Sequence, residues 1–169
     1  MKIEDVNGLS REQFVTALGW IFEAAPWVAE RAWAHGPYAS LEGLHAAMVA
    51  EVQHASPEEK LALLRAHPDL GVRARMSDAS VKEQSGAGLD RLTAAEFAEF
   101  QRMNAAYRKE FGFPFLFAVK GSTKEDILKS LSERLGGTPE EEFGAALEQV
   151  FRIAQFRLHA SEPRPLGSG

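Results

Sequence analysis

Residues 56–71, "SPEEKLALLRAHPDLG", decide what kind of fold this chain adopts. Ser56 and Glu59 stand at capping-box spacing, in which a hydroxyl accepts from the N3 amide and the N3 side chain reaches back to the cap. Pro57 takes the first helical position, where a missing N–H is harmless. Leu63, Leu64 and His67 then recur at helical spacing, which predicts a helix over 57–67 with one apolar face. Pro68 ends it, because its ring disfavours helical geometry at the residue before. A side chain that titrates near neutrality therefore closes an apolar stripe beside a rigid backbone.

The same start signal recurs along the chain. Ser10 with Gln13, Ser80 with Glu83, Thr93 with Glu96, Ser122 with Glu125 and Thr138 with Glu141 all match it. Pro139 repeats the role of Pro57, and Gly112 and Gly136 follow periodic segments as C-terminal caps. These marks predict helices near 11–24, 26–35, 41–54, 57–67, 81–90, 94–111, 123–135 and 139–160. In the last of them Phe143, Leu147, Val150, Ala154 and Leu158 form an apolar stripe. The expected fold is all-α: a single domain over residues 1–160, a bundle of about eight helices, followed by a flexible C-terminal tail, "SEPRPLGSG", over 161–169.

One segment breaks the helical period. "FGFPFLFAVKG", residues 111–121, is a continuous apolar and aromatic run that holds Pro114 between Gly112 and Gly121. It is short for a core helix and has no partner strand. Either it is a buried connector plugging the core, or its backbone groups, unpaired by any helix ladder, face a small polar ligand.

Composition narrows the class of function. A net charge of −5, with acids and bases interleaved, lacks the basic stripe that nucleic-acid binding needs. There is no cysteine, hence no disulfide, thiolate nucleophile or sulfur metal site. No apolar run approaches a membrane span, and the N-terminus "MKIEDVNGLSREQ" carries acids where a secretory signal needs an apolar stretch. A soluble, cytoplasmic protein is the expectation. His35, His45, His54 and His159 show no metal-ligand spacing, and neither a GxSxG elbow nor a phosphate loop is present.

Three sets of polar residues stand where apolar ones would be expected. His67 is either a satisfied core histidine or an acid/base held at a helix end. Arg157 falls on the buried stripe of the last helix, so it has either a carboxylate partner inside the fold or an anionic or carbonyl-rich ligand. In "SVKEQSGAGL", residues 80–89, a capping box accounts for Ser80 and Glu83 but leaves Gln84 and the small residues after it unexplained. Arg73 and Arg75 either steer an anion or belong to a solvated loop.

Taken together and in order, "AHPDLG", "SVKEQSGAGL", "NAAYRKEFGFPFLFAVKG" and "IAQFRL" resemble one family, and the likeness spans residues 8–159. It is the OHCU decarboxylases, which act on 2-oxo-4-hydroxy-4-carboxy-5-ureidoimidazoline in urate degradation. The resemblance implies an all-α homodimer that needs no metal or organic cofactor and releases CO2 to give (S)-allantoin. It implies that His67 is the catalytic acid/base, with Glu83 and Arg157 beside it in catalysis. Pro68, Ser80 and Gln84, with the backbone of Phe115, Leu116, Phe117, Ala118 and Val119, would bind the anionic substrate. Two other readings stay open. One is a non-catalytic helical module in which His67 and Arg157 are internal partners; the other is a hydrolase of a related ureide.

Overall fold

The computed structural model describes residues 1–71 and 77–160. Among them there are nine α-helices and no strand. In chain order these are α1 (Ile3–Asn7), α2 (Arg11–Leu18), α3 (Pro26–Trp33), α4 (Leu41–Gln53), α5 (Pro57–Arg65), α6 (Asp78–Gly86), α7 (Ala94–Phe111), α8 (Lys124–Arg134) and α9 (Pro139–Ala160). The all-α reading stands. The extra element is α1, whose 5 residues are too few to show a period and whose N-cap, Lys2, makes no side-chain capping bond. The proposed tail and Arg73 and Arg75 lie outside the described residues. No helix among the described residues is long and apolar enough to cross a membrane.

Start signals fix most helix boundaries. Ser10 and Thr93 make complete capping boxes with Gln13 and Glu96. Ser56 accepts from the Glu59 amide while Glu59 accepts from the Ser56 amide. Two expected boxes are displaced. The cap of α8 is Thr123 with Asp126, one residue beyond the Ser122–Glu125 pair. The cap of α6 is Ser77, so Ser80 lies inside that helix, which runs over 78–86 where 81–90 was expected. α2 also stops at Leu18, short of the expected 24. Gly112 caps α7 in the left-handed region at φ 80°, as glycine permits, whereas Leu135 caps α8 in place of Gly136.

The chain forms two compact units: Met1–Leu63 together with the stretch from Phe151 onward, and Leu64–Val150. In the first, α3 packs on both α2 and α4. Its buried apolar residues include Phe14, Leu18, Phe22, Val28, Leu44, Met48 and Leu158. In the second, α7 packs on α8, and Phe100, Tyr107, Phe115, Ile127 and Leu131 are fully buried. The buried stripe of α9 is Glu142, Ala146, Val150, Ala154 and Leu158. It therefore begins on Glu142, not Phe143, because Arg134 supplies that carboxylate with a partner.

Candidate functional site

The second unit carries the histidine and most of the proposed site residues. α5 ends at Arg65, two residues before the predicted end, and the turn that follows is tight: the His67 amide donates to the Leu64 carbonyl at 3.3 Å. His67 is only 5% exposed. Just upstream, Arg65 Nε donates to the Gly112 carbonyl at 2.9 Å, tying the end of α5 to the end of α7.

Downstream, the loop Asp69–Leu70–Gly71 is fastened at every residue. Asp69 accepts a 2.9 Å ion-paired bond from Arg108 Nε, and its carbonyl accepts from Gln84 Nε2 at 3.3 Å. The Leu70 carbonyl accepts from Asn104 Nδ2 at 2.8 Å. The Gly71 amide donates to Gln84 Oε1 at 3.0 Å. Gly71 has φ 73°, and a Cβ there would lie 3.1 Å from Phe100 Cγ. Phe100, Asn104 and Arg108 are spaced four apart on one face of α7, so this helix follows the loop residue by residue, in reverse order.

α6 presents the next group. Ser77 Oγ accepts from the Ser80 amide at 3.2 Å and bonds the Ser80 hydroxyl at 3.1 Å. Ser80 and Gln84, one helical turn apart, are buried at 4% and 5% exposure, and Glu83 is half-buried. Gln84 thus has a definite task, clamping the loop two to four residues beyond His67.

The connector 113–119 is irregular and buried, as its composition suggests. Phe115, Leu116, Ala118 and Val119 are buried, and Phe117 is half-buried. Leu116 presents its carbonyl to Arg134 Nη1 at 2.6 Å, and the Ala118 amide donates to Gln149 Oε1 at 2.9 Å. Arg134 also pairs with Glu142 at 2.8 Å, lies 4.6 Å from the centre of the Phe115 ring, and donates to the Tyr107 hydroxyl. The Tyr107 hydroxyl in turn donates to Glu142 at 2.7 Å. Burial, reinforced by that bond to a carboxylate, pushes the Tyr107 phenol far above its ordinary range. Tyr107 also packs edge-on against Phe113 and Phe115, so the connector is held by an aromatic ring and a guanidinium that also contact each other.

Arg157 belongs to the first unit. Its Nη2 pairs with Glu23 Oε2 at 2.8 Å, with 4% and 8% of the two side chains exposed, and its Nη1 donates to the Trp20 carbonyl. The carboxylate partner envisaged for a buried arginine is therefore present. Glu23 gives no sequence signal, because the expected helix over 11–24 contains it whereas α2 ends at Leu18. Asn104, Arg108 and Arg134 were missed for a related reason: each looks like an ordinary polar helix position until the loop it holds is in place. Among the described residues, no group of three or more histidines and carboxylates is placed to hold a metal ion.

Comparison with known proteins gives a consistent result. Residues 7–159 match the family model described as OHCU decarboxylase. A 2-oxo-4-hydroxy-4-carboxy-5-ureidoimidazoline decarboxylase of Halalkalicoccus jeotgali is 46% identical over 158 residues, covering 94% of this chain and 90% of its own. The crystal structure of an (S)-allantoin synthase superposes with a TM-score of 0.76 at 36% identity, over 95% of this chain and 54% of that longer one. The crystal structure of an OHCU decarboxylase in the presence of (S)-allantoin gives a TM-score of 0.67 at 25% identity, over 89% and 96% of the two chains.

Proposed function

The chain belongs to the OHCU decarboxylase family, and from that premise we propose that it decarboxylates 2-oxo-4-hydroxy-4-carboxy-5-ureidoimidazoline to (S)-allantoin with His67 as acid/base. The observation that carries this reading is the setting of His67. It is buried, its amide is tied back to Leu64, and the loop after it is fastened at three consecutive residues. An imidazole carried on a backbone held this firmly is suited to move a proton to or from one face of a bound ring, which is what stereoselective product formation requires.

The chemistry suits these residues. The substrate carries its carboxylate on a carbon beside an electron-accepting ring, so the electrons released with CO2 delocalise into the substrate itself. The protein then has to orient the breaking bond, stabilise charge entering the ring, and handle protons. Ser80, Glu83 and Gln84 on α6, Pro68, and the backbone of 115–119 are proposed to hold the anionic substrate. In support, the connector's backbone lies outside any helix, and bonds from Arg134 to Leu116, from Ala118 to Gln149 and from the Ser122 amide to Val119 fix its course. The reaction is proposed to need no metal or organic cofactor. The enzyme is taken to work as a homodimer, as the resemblance implies, and in the cytoplasm, as expected from the sequence.

For Arg157 a second reading has its own support. The resemblance places it beside His67 in catalysis, binding the polar edge of the substrate ring, whereas the buried pair with Glu23 favours a structural ion-pair member.

The test is a coupled assay in which urate oxidase and hydroxyisourate hydrolase generate the short-lived substrate and circular dichroism follows allantoin. Rapid growth of an (S)-allantoin signal is expected, lost with His67→Asn. Slow, racemic allantoin from the wild type would overturn the activity. Wild-type rates from His67→Asn would remove that residue from the mechanism.

A further inference from the structure

His67 is a buried side chain on an irregular segment, so helix geometry alone does not fix where its ring points. Besides Gln84 of α6, what fixes the segment is α7. Asn104 is 2% exposed and gives its amide nitrogen to the Leu70 carbonyl, and this bond also sets which end of the Asn104 amide faces the loop. Its other end, Oδ1, is buried and has no hydrogen-bond partner among the described residues. One turn further on, Arg108 reaches Asp69 with the directional Nε–H of its guanidinium. One turn before, Phe100 lies under Gly71, where no Cβ fits without displacement. Three successive turns of one helix face thus register three successive loop residues, beginning two residues after His67.

We propose that Asn104 and Arg108 are positioning residues for His67: by holding the Leu70 carbonyl and the Asp69 carboxylate they set the orientation, and with it the proton affinity, of the imidazole. The proposal rests on the reading of His67 as the acid/base of the decarboxylation. Gln84 reaches the same loop from α6, but its place in the proposed substrate site makes it unsuitable as a probe. Asn104 and Arg108 act only through the loop.

The experiment compares Asn104→Asp, which is nearly isosteric but puts an oxygen opposite the Leu70 carbonyl, with the more exposed Arg108→Gln and its conservative control Arg108→Lys. Each is read by kcat and KM in the coupled assay, by the pH profile of kcat, and by NMR titration of the His67 ring protons. Those signals are assigned by their loss in His67→Asn. The expected result is a fall in kcat of about tenfold to a hundredfold with KM nearly unchanged, as misplacement of a catalytic group produces. Arg108→Lys should recover much of the rate. The titration midpoint of His67 and the limb of the pH profile should move together in both variants. In a His67→Asn background neither change should lower the rate further.

His67 midpoints equal to wild type in both Asn104→Asp and Arg108→Gln would overturn the proposal, as would an equal loss of rate with and without His67. Should Asn104→Asp fail to fold, Arg108→Gln carries the same test. Wild-type turnover by His67→Asn alone would instead sink the acid/base reading, and the midpoints would still decide whether α7 orients the ring.

Discussion

Arg157 Nη2 and Glu23 Oε2 lie 2.8 Å apart with both side chains almost wholly buried. Removing the cation alone strands a carboxylate out of water, which costs about 3–5 kcal/mol when such a pair is broken. Arg157→Ala should therefore unfold at much lower denaturant concentration than wild type. The double variant Arg157→Met with Glu23→Leu should regain most of that loss, because a well-packed apolar pair replaces a buried ionic one at little net expense. Its turnover then separates the two roles: an active double variant makes Arg157 structural, and a stable but inactive one makes it a substrate ligand.

Gly71→Ala and Gly88→Ala form a matched pair. Both glycines have positive φ, 73° and 80°, but an added methyl meets Leu92 and Phe100 at the first and open space at the second. The backbone penalty of about 1–2 kcal/mol is common to both. Gly71→Ala should be the more destabilising in chemical denaturation and should also lower turnover, since it displaces the loop after His67. Equal losses of stability would show that the contact with Phe100 relaxes freely.

Tyr107 gives an alkaline signature. Its phenol is raised above the ordinary 10.0 by burial and by the bond to Glu142. A group whose folded value is raised contributes stability that is whole below the unfolded value and is lost as pH climbs toward the folded one. Wild-type stability should thus begin to fall once pH passes about 10, and Tyr107→Phe should remove this component of the decline. At neutral pH the same variant should be less stable by about 1–3 kcal/mol, because Glu142 and Arg134 lose a buried partner. A pH-independent difference between the two proteins would count against the shift.

Glu96 tests the acid side. It closes the capping box of α7 and accepts from Lys124 of α8, and the Lys124 bond is the chief reason its carboxyl is held below the ordinary range. A depressed carboxyl contributes stability that is whole above its unfolded value and disappears as pH falls through the folded one. Glu96→Gln should therefore be less stable than wild type at pH 7, with the two melting curves converging on acidification. Because the pair is open to solvent, the difference should shrink in high salt.

How much of this was legible in the sequence depends on the range of the interaction. Ser10, Ser56 and Thr93 name their helices because a capping box is satisfied within four residues. Ser80 misled because Ser77, also a serine at the right distance, captured the first turn without an acid at N3 to announce it. Ser122–Glu125 and Thr123–Asp126 are equivalent boxes one residue apart, so local chemistry cannot choose between them. His67 and Arg157 were visible as polar residues on apolar stripes. Their surroundings were not, since Glu23 and Asn104 declare themselves only when segments distant in sequence meet.

The double duty of α7 has a consequence for how the gene can change. One face of this helix follows the loop after His67 through Phe100, Asn104 and Arg108, while Tyr107 and Phe111 on another face seat the aromatic connector. A single codon inserted or deleted between Asn104 and Tyr107 would turn Phe100 and Asn104 by about 100° relative to Tyr107, Arg108 and Phe111. No repacking of individual residues could restore both. The stretch 87–92, which precedes the Thr93 cap of α7, carries no such phase relation. Length variation among relatives should therefore collect there and be excluded from residues 100–111, so that this helix acts as the reading frame of the site.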